Sequence, residues 1–121
     1  MLTSKELAIV CAQAADETKA EDIRVLDVRG LSSLTDYCVI CTATAIPHLR
    51  ALLRDVDGFV RERAGVSPQY KDTNPQSLWG VLDYIDVMVH VMSAETREFY
   101  DLETIWKDAQ EILWQDVPVK A

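Results

Sequence analysis

From Trp79 to Met92 the hydrophobic positions follow a period of two: Trp79-Gly80-Val81-Leu82-Asp83, a short break, then Val87-Met88-Val89-His90-Val91-Met92. Valines that alternate with larger side chains are the pattern of a β-strand with one set of residues on each face, so this stretch predicts two strands turned tightly on each other. The pattern becomes helical at Ser93, which suits an N-cap, and Asp101 offers a second cap with Glu103 and Thr104 in the turn that follows. One segment, Trp79 to Trp106, therefore carries a hairpin, two short helices and five of the aromatic residues.

The elements around it follow from the same reasoning. Thr3-Ser4-Lys5-Glu6 has the spacing of a capping box, and Leu7, Val10, Cys11, Ala14 and Ala15 form one apolar stripe of a first helix ending near Lys19. Ile23 to Val28 reads as a strand closed by Arg29-Gly30. Tyr37 to Ala43 is apolar with almost no alternation, which predicts a strand covered on both faces at the centre of the sheet. Thr44 is placed to cap the next helix, with Pro47 in its first turn, and Leu49, Leu52, Leu53, Val56, Phe59 and Val60 keep helical spacing until Gly65 stops it. Val66 to Asp72 predicts a short edge strand because of Pro68, and Thr73-Asn74-Pro75-Gln76 a loop. In the tail, a helical turn is expected around Ile112, Leu113 and Trp114, with fraying after Pro118. The succession predicts a single α/β domain, a mixed β-sheet flanked by helices, over residues 1–107, with 108–121 as an extension.

Composition narrows the function. The chain has 121 residues and a net charge of −8, which argues against a surface that binds nucleic acid. The charge is uneven: residues 1–64 hold eight basic and ten acidic side chains, residues 65–121 four and ten. The half that contains the hairpin is thus the one suited to a basic partner. No apolar run reaches the roughly 18 residues of a membrane span, and the N-terminus lacks a secretory pattern, so a soluble, cytoplasmic protein is expected. Three cysteines, Cys11, Cys38 and Cys41, suit reduced thiols. Cys38-x-x-Cys41 lies within the predicted central strand, where positions three apart point to opposite faces and cannot share a metal or a bond.

Three places in the chain carry residue types suited to chemistry. Asp83, Asp86 and His90 suggest a metal site, but no second His or Cys has ligand spacing, and a structural or interface histidine is the better reading. Asp55 and Asp57 have the letters of a magnesium pair, yet on a helix positions two apart diverge by about 200°. The four glycines do not cluster into a phosphate cradle. No cofactor is expected, and catalysis is disfavoured. Glu95, Arg97, Glu98, Tyr100, Asp101 and Glu103 place charges and an aromatic on two short helices beside a sheet, which reads either as an ordinary solvated surface or as a docking face.

The motifs Asp36-Tyr37-x-Val39-Ile40-Cys41, Thr44, His48, Trp79, Leu82-Asp83-Tyr84, Asp86-Val87-x-Val89-His90-Val91 and Glu95-x-Arg97-x-Phe99-Tyr100-x-Leu102-Glu103-x-x-Trp106 resemble the ribosomal silencing factor family, also called Iojap or RsfS. The resemblance spans residues 3 to 107. It implies a fold distantly similar to nucleotidyltransferases but without their catalytic residues. It also implies binding to the fourteenth protein of the large ribosomal subunit, which blocks the small subunit from joining, so that translation is damped or assembly of the large subunit is protected until it is complete, and homodimers in isolation. Carried onto this chain, the docking residues it implies are Trp79, Asp83, Asp86, His90, Arg97, Tyr100 and Glu103. A cytoplasmic location, or an organelle matrix after removal of a targeting peptide, goes with it. The alternative is a nucleotide-using enzyme on the related fold. Three positions depart from the family pattern: Ala43-Thr44-Ala45 stands for Gly-Thr-Ser, Asp72-Thr73 for an acidic residue and Gly, and Ile85 for the hairpin Gly. If that Gly serves a positive φ, Ile85 is strained by about 1–2 kcal/mol.

Overall fold

The computed structural model describes residues 2–73, 76 and 78–119. The element order is α1 (Ser4–Glu17), β1 (Glu21–Asp27), β2 (Tyr37–Ala43), α2 (Ile46–Ala64), β3 (Tyr70–Asp72), β4 (Trp79–Asp83), β5 (Val87–Ser93), α3 (Ala94–Tyr100), α4 (Leu102–Ile105) and β6 (Gln110–Glu111). Six strands form one sheet in the order β3-β4-β5-β2-β1-β6. The β2–β5 pair is parallel and the remaining pairs are antiparallel, so the sheet is mixed.

The central strand is the one its composition predicts: all seven residues of β2 are buried. Helices α1 and α2 cover one face, where Val25, Val39, Cys41, Leu82, Val87, Val89 and Val91 meet Leu7, Val10, Leu49, Leu52, Val56 and Val60. Each such side chain contributes about 1.5–3 kcal/mol when fully buried. The opposite face carries a smaller cluster of Leu26, Val28, Cys38, Ile40 and Met92. Cys38 and Cys41 thus lie on opposite sides of the sheet, and burial raises both thiols to about 12.

Helix α1 starts as its sequence requires, with the Thr3 hydroxyl accepting from the Glu6 N–H at 3.1 Å and the Glu6 carboxylate accepting from the Thr3 N–H at 2.9 Å. Helix α2 ends at Gly65, whose φ of 68° supplies the left-handed turn. Its start differs from the expected Thr44 cap. The N-cap is Ala45, and the His48 ring reaches back instead: Nδ1 accepts from the Thr44 N–H at 3.0 Å, which leaves Nε2–H to donate to the Thr18 carbonyl at 2.7 Å. Asp101 is the N-cap of α4, as its position predicts, but without a side-chain cap bond. It sits between α3 and α4 at a φ of 48°, and its carboxylate accepts from the Thr104 hydroxyl rather than from a backbone N–H.

The expected strand before the hairpin is shorter, beginning at Tyr70, and lies at the sheet edge. Of the loop after it, Asn74 and Pro75 fall outside the described residues. The helical turn expected around Ile112 is absent. Gln110–Glu111 pairs with Leu26 and Asp27 as β6, Ile112 is buried, and the Gln13 amide donates to the Trp114 and Val117 carbonyls at 3.1 and 2.7 Å. The tail is held to α1 and the sheet because those carbonyls and the β1 edge supply hydrogen-bond partners.

The hairpin turn bears out the concern over Ile85. Its φ is 74°, and the Asp86 N–H donates to the Tyr84 carbonyl at 3.0 Å, the i to i+2 bond of a γ-turn with positive φ. The Asp83 carboxylate accepts from the Ile85 N–H at 2.8 Å, and the side chain stands 57% exposed.

Candidate docking face

The register of β3, β4 and β5 fixes which side chains share the face away from α1 and α2. Trp79, Val81 and Asp83 lie opposite Met92, His90 and Met88, while Tyr70 and Asp72 lie opposite Asp83 and Val81. Residues paired across an antiparallel ladder project to the same side. Helices α3 and α4 and the chain to Ala109 cover the β1–β2 side of this face, with Trp79, Leu102, Trp106 and Ala109 packed on its cluster. Trp79, Val81, Asp83 and Met88 remain only half-buried, and Tyr70 is exposed. Asp72 and Asp83 are the acids among these strand residues; Lys71 points the other way, to the Asp57 carboxylate at 3.3 Å.

Trp79 joins this open region to the covered one. Its indole N–H donates to His90 Nδ1 at 3.1 Å, and its ring meets that of Tyr100 at 4.9 Å between centroids. His90 is 5% exposed, and burial lowers its pKa to about 4, against a raising influence from Asp83. With Nδ1 accepting, the proton resides on Nε2, which has no hydrogen-bond partner. Phe99, 80% exposed, sets its edge on the Tyr100 ring at 5.0 Å. The result is a surface of aromatic and apolar side chains with acids beside them: aromatics are enriched at interface centres, and charged groups belong to the polar rim.

Of the seven residues carried over from the resemblance, Trp79, Asp83, His90 and Tyr100 are brought together. Asp86 is exposed but turned toward α1, where its carboxylate accepts from the Ser4 hydroxyl at 3.2 Å. Arg97 and Glu103 are internal braces rather than surface charges. The buried Arg97 guanidinium donates to the Asp22 carbonyl (2.7 Å), the Thr42 hydroxyl (2.9 Å) and Glu103 (2.8 and 3.2 Å). Glu103 also accepts from Arg24 at 2.7 Å, and hydrogen bonds from Arg97 and then Arg24 hold its carboxyl below the usual range. Val81 and Met88 also lie on this face, although the resemblance does not single them out. Their signal was the same alternation that placed Trp79 and His90.

Among the described residues, no group of three or more His, Cys, Asp or Glu side chains is arranged to hold a metal. Asp55 and Asp57 diverge as helix geometry requires: the first accepts from the Thr18 hydroxyl at 3.1 Å, the second from Arg61 and Lys71. No helix among the described residues is long and apolar enough to cross a membrane.

The fold and this face define a small α/β domain with one sheet surface closed by long helices and the other left partly open. The family model described as ribosomal silencing factor during starvation matches residues 1–121, and the chain belongs to that family. Ribosomal silencing factor RsfS of Bacillus subtilis is 32% identical over 108 residues, covering 89% of this chain and 91% of that protein. The chloroplastic protein Iojap of Zea mays is 38% identical over 87% of this chain and 45% of its own longer length. A crystal structure of a Chromobacterium violaceum protein superposes with a TM-score of 0.82 at 28% identity, covering 98% of both chains. Its relatives are named as silencing factors rather than as enzymes.

Proposed function

We propose that this chain silences ribosomes by docking the open part of the sheet face, Trp79, Val81, Asp83, Met88 and Tyr100, onto a basic protein of the large ribosomal subunit. The partner that the family resemblance indicates is the fourteenth protein of that subunit. The action is steric: a bound domain of this size occupies the surface the small subunit needs, and translation falls. The observation that carries this reading is the half-buried apolar strip with acids on the open face of β3, β4 and β5, where the one cation of these strands, Lys71, points to the opposite side. Burial of Trp79 and Tyr100 supplies affinity, and the acids steer a cationic partner. The exposed rings of Phe99 and Tyr100 support self-association of the free chain, in competition with the ribosome. The action is assigned to the cytoplasm, or to an organelle matrix.

Co-sedimentation with purified large subunits at low salt tests the proposal. The wild type is expected to migrate with the subunit and to reduce joining of the small subunit. Val81→Lys, which places a cation on a half-buried strand position, is expected to remain in the supernatant while keeping the wild-type unfolding midpoint. A wild-type protein that fails to migrate with the subunit, under conditions where light scattering shows monomer, refutes the proposal.

A further inference from the structure

The chain's negative charge conceals a basic cleft, on the far side of the sheet from the docking face. Arg50, Arg54, Arg61 and Lys71 line a cavity of about 570 Å³ with Leu53, Asp57, Gly58 and Thr73. At 100° per residue, Arg50, Arg54 and Arg61 fall within about 40° of one another around α2, so they form one stripe roughly 16 Å long. Lys71 reaches it from β3.

The acids at this site are already engaged. Asp57, 6% exposed, receives Arg61 at 2.8 Å and Lys71 at 3.3 Å, so it orients both cations at the cleft wall. Asp55 accepts from the Arg54 Nε–H at 3.0 Å, and the Arg54 side chain stays 73% exposed. Arg50 is exposed and has no ion pair or hydrogen bond among the described residues. Even with Asp55 and Asp57 counted, the cleft keeps a local excess of two positive charges on a chain whose net charge is −8. With two carboxylates shared among three of the cations and Arg50 unpaired, the remaining positive charge is suited to an anion from outside.

Gly58 adds an independent observation. A glycine inside a helix is unfavourable relative to alanine, yet a Cβ at Gly58 would meet nothing within 4 Å. Packing within the chain does not demand the glycine. Its absent side chain leaves the wall of the cleft open where a ligand's backbone could approach.

We infer that the α2–β3 cleft of Arg50, Arg54, Arg61 and Lys71 binds the phosphate backbone of RNA. The choice of RNA over an acidic protein follows from the elongated guanidinium stripe and the lack of an exposed aromatic among the lining residues, and it rests on the reading that the chain docks on a ribosomal subunit, whose surface is rich in RNA. A domain held by protein contacts on one side of its sheet gains a second, salt-sensitive contact on the other.

Fluorescence anisotropy of the full chain with a labelled RNA hairpin, at 50 to 200 mM salt, tests this directly. The wild type should bind at low salt, and Arg50→Ala/Arg54→Ala, at two exposed positions, should weaken binding at least fivefold and make the slope of log K against log salt shallower by about 2. Val81→Lys should retain RNA binding while losing the large subunit, so failure of the docking reading is seen separately. RNA binding that is absent at low salt, or unchanged in the double variant, overturns the inference. So does selective capture of inorganic polyphosphate or polyglutamate at these residues without competition by RNA.

Discussion

Replacing Ile85 by glycine and, separately, by alanine measures the strain at the hairpin tip. Both substitutions remove the same partly buried side chain. At 57% exposure, less than half of a side chain worth about 1.5–3 kcal/mol is at stake, so each loses about 1 kcal/mol of burial. Only glycine relieves the φ of 74°, which costs a non-glycine residue about 1–2 kcal/mol. Glycine also raises the entropy of the unfolded chain, worth about 0.4–1 kcal/mol in the opposite direction. The terms nearly cancel for Ile85→Gly, which should unfold within about 0.5 kcal/mol of the wild type. Ile85→Ala should be less stable than the glycine variant by about 1 kcal/mol, or about 4 °C in Tm. Urea unfolding followed by tryptophan fluorescence provides the measurement, with the slope m expected to stay constant. At an ordinary negative φ alanine exceeds glycine, so an alanine variant equal to or above glycine refutes a left-handed Ile85.

Three further predictions concern packing and charge. A Cβ at Gly80 would fall within the side chain of Leu53, which is 2% exposed, so Gly80→Ala should cost about 1–3 kcal/mol by calorimetry. Glu103→Gln removes the charge that faces the buried Arg97, and a loss of about 2–3 kcal/mol is expected, with affinity for the large subunit unchanged for the folded fraction; an affinity loss without a stability loss would return Glu103 to the docking face. His90 supplies the pH dependence. The unfolded histidine takes a proton near 6.5 while the folded one resists until about 4, so stability should fall as pH drops through that window, by about 3 kcal/mol in total. His90→Asn should flatten this stretch of the pH–stability curve, and an equal fall in the variant would show that another group is responsible.

Much of this architecture was legible because local pattern and tertiary environment agree. The unbroken apolar run of β2 has one stable location, and the alternation of β5 distributes its valines to the helix-covered face and His90 to the other. Ile85 was legible for the opposite reason: turn geometry conflicts with its side chain, and the conflict is visible in one residue. The misplacements were non-local. Thr44 lost the expected cap to His48 because the imidazole also found the Thr18 carbonyl of a separate segment. Arg97 and Glu103 look like surface charges on short helices until Asp22 and Thr42 are brought beneath them. Strand β6 depends on an edge of β1 that lies over 80 residues earlier. Counting charge by halves of the chain also hid the arginine stripe of α2, since only the helical period brings Arg50, Arg54 and Arg61 together.

The open face follows from element length. Six strands spaced about 4.8 Å apart make a sheet roughly 24 Å wide, and a packed helix covers about 10 Å of that width. On one side, the 14 residues of α1 and the 19 of α2 run about 21 and 28 Å, enough to close the surface between them. On the other, the seven residues of α3 and the four of α4 span only about 10 and 6 Å. Arg97 and Glu103 draw both short helices toward β1 and β2, so the uncovered width falls at β3 and β4, and Trp79 stands at its boundary. Lengthening α3 to shelter Trp79 would close the surface on which the proposed docking depends.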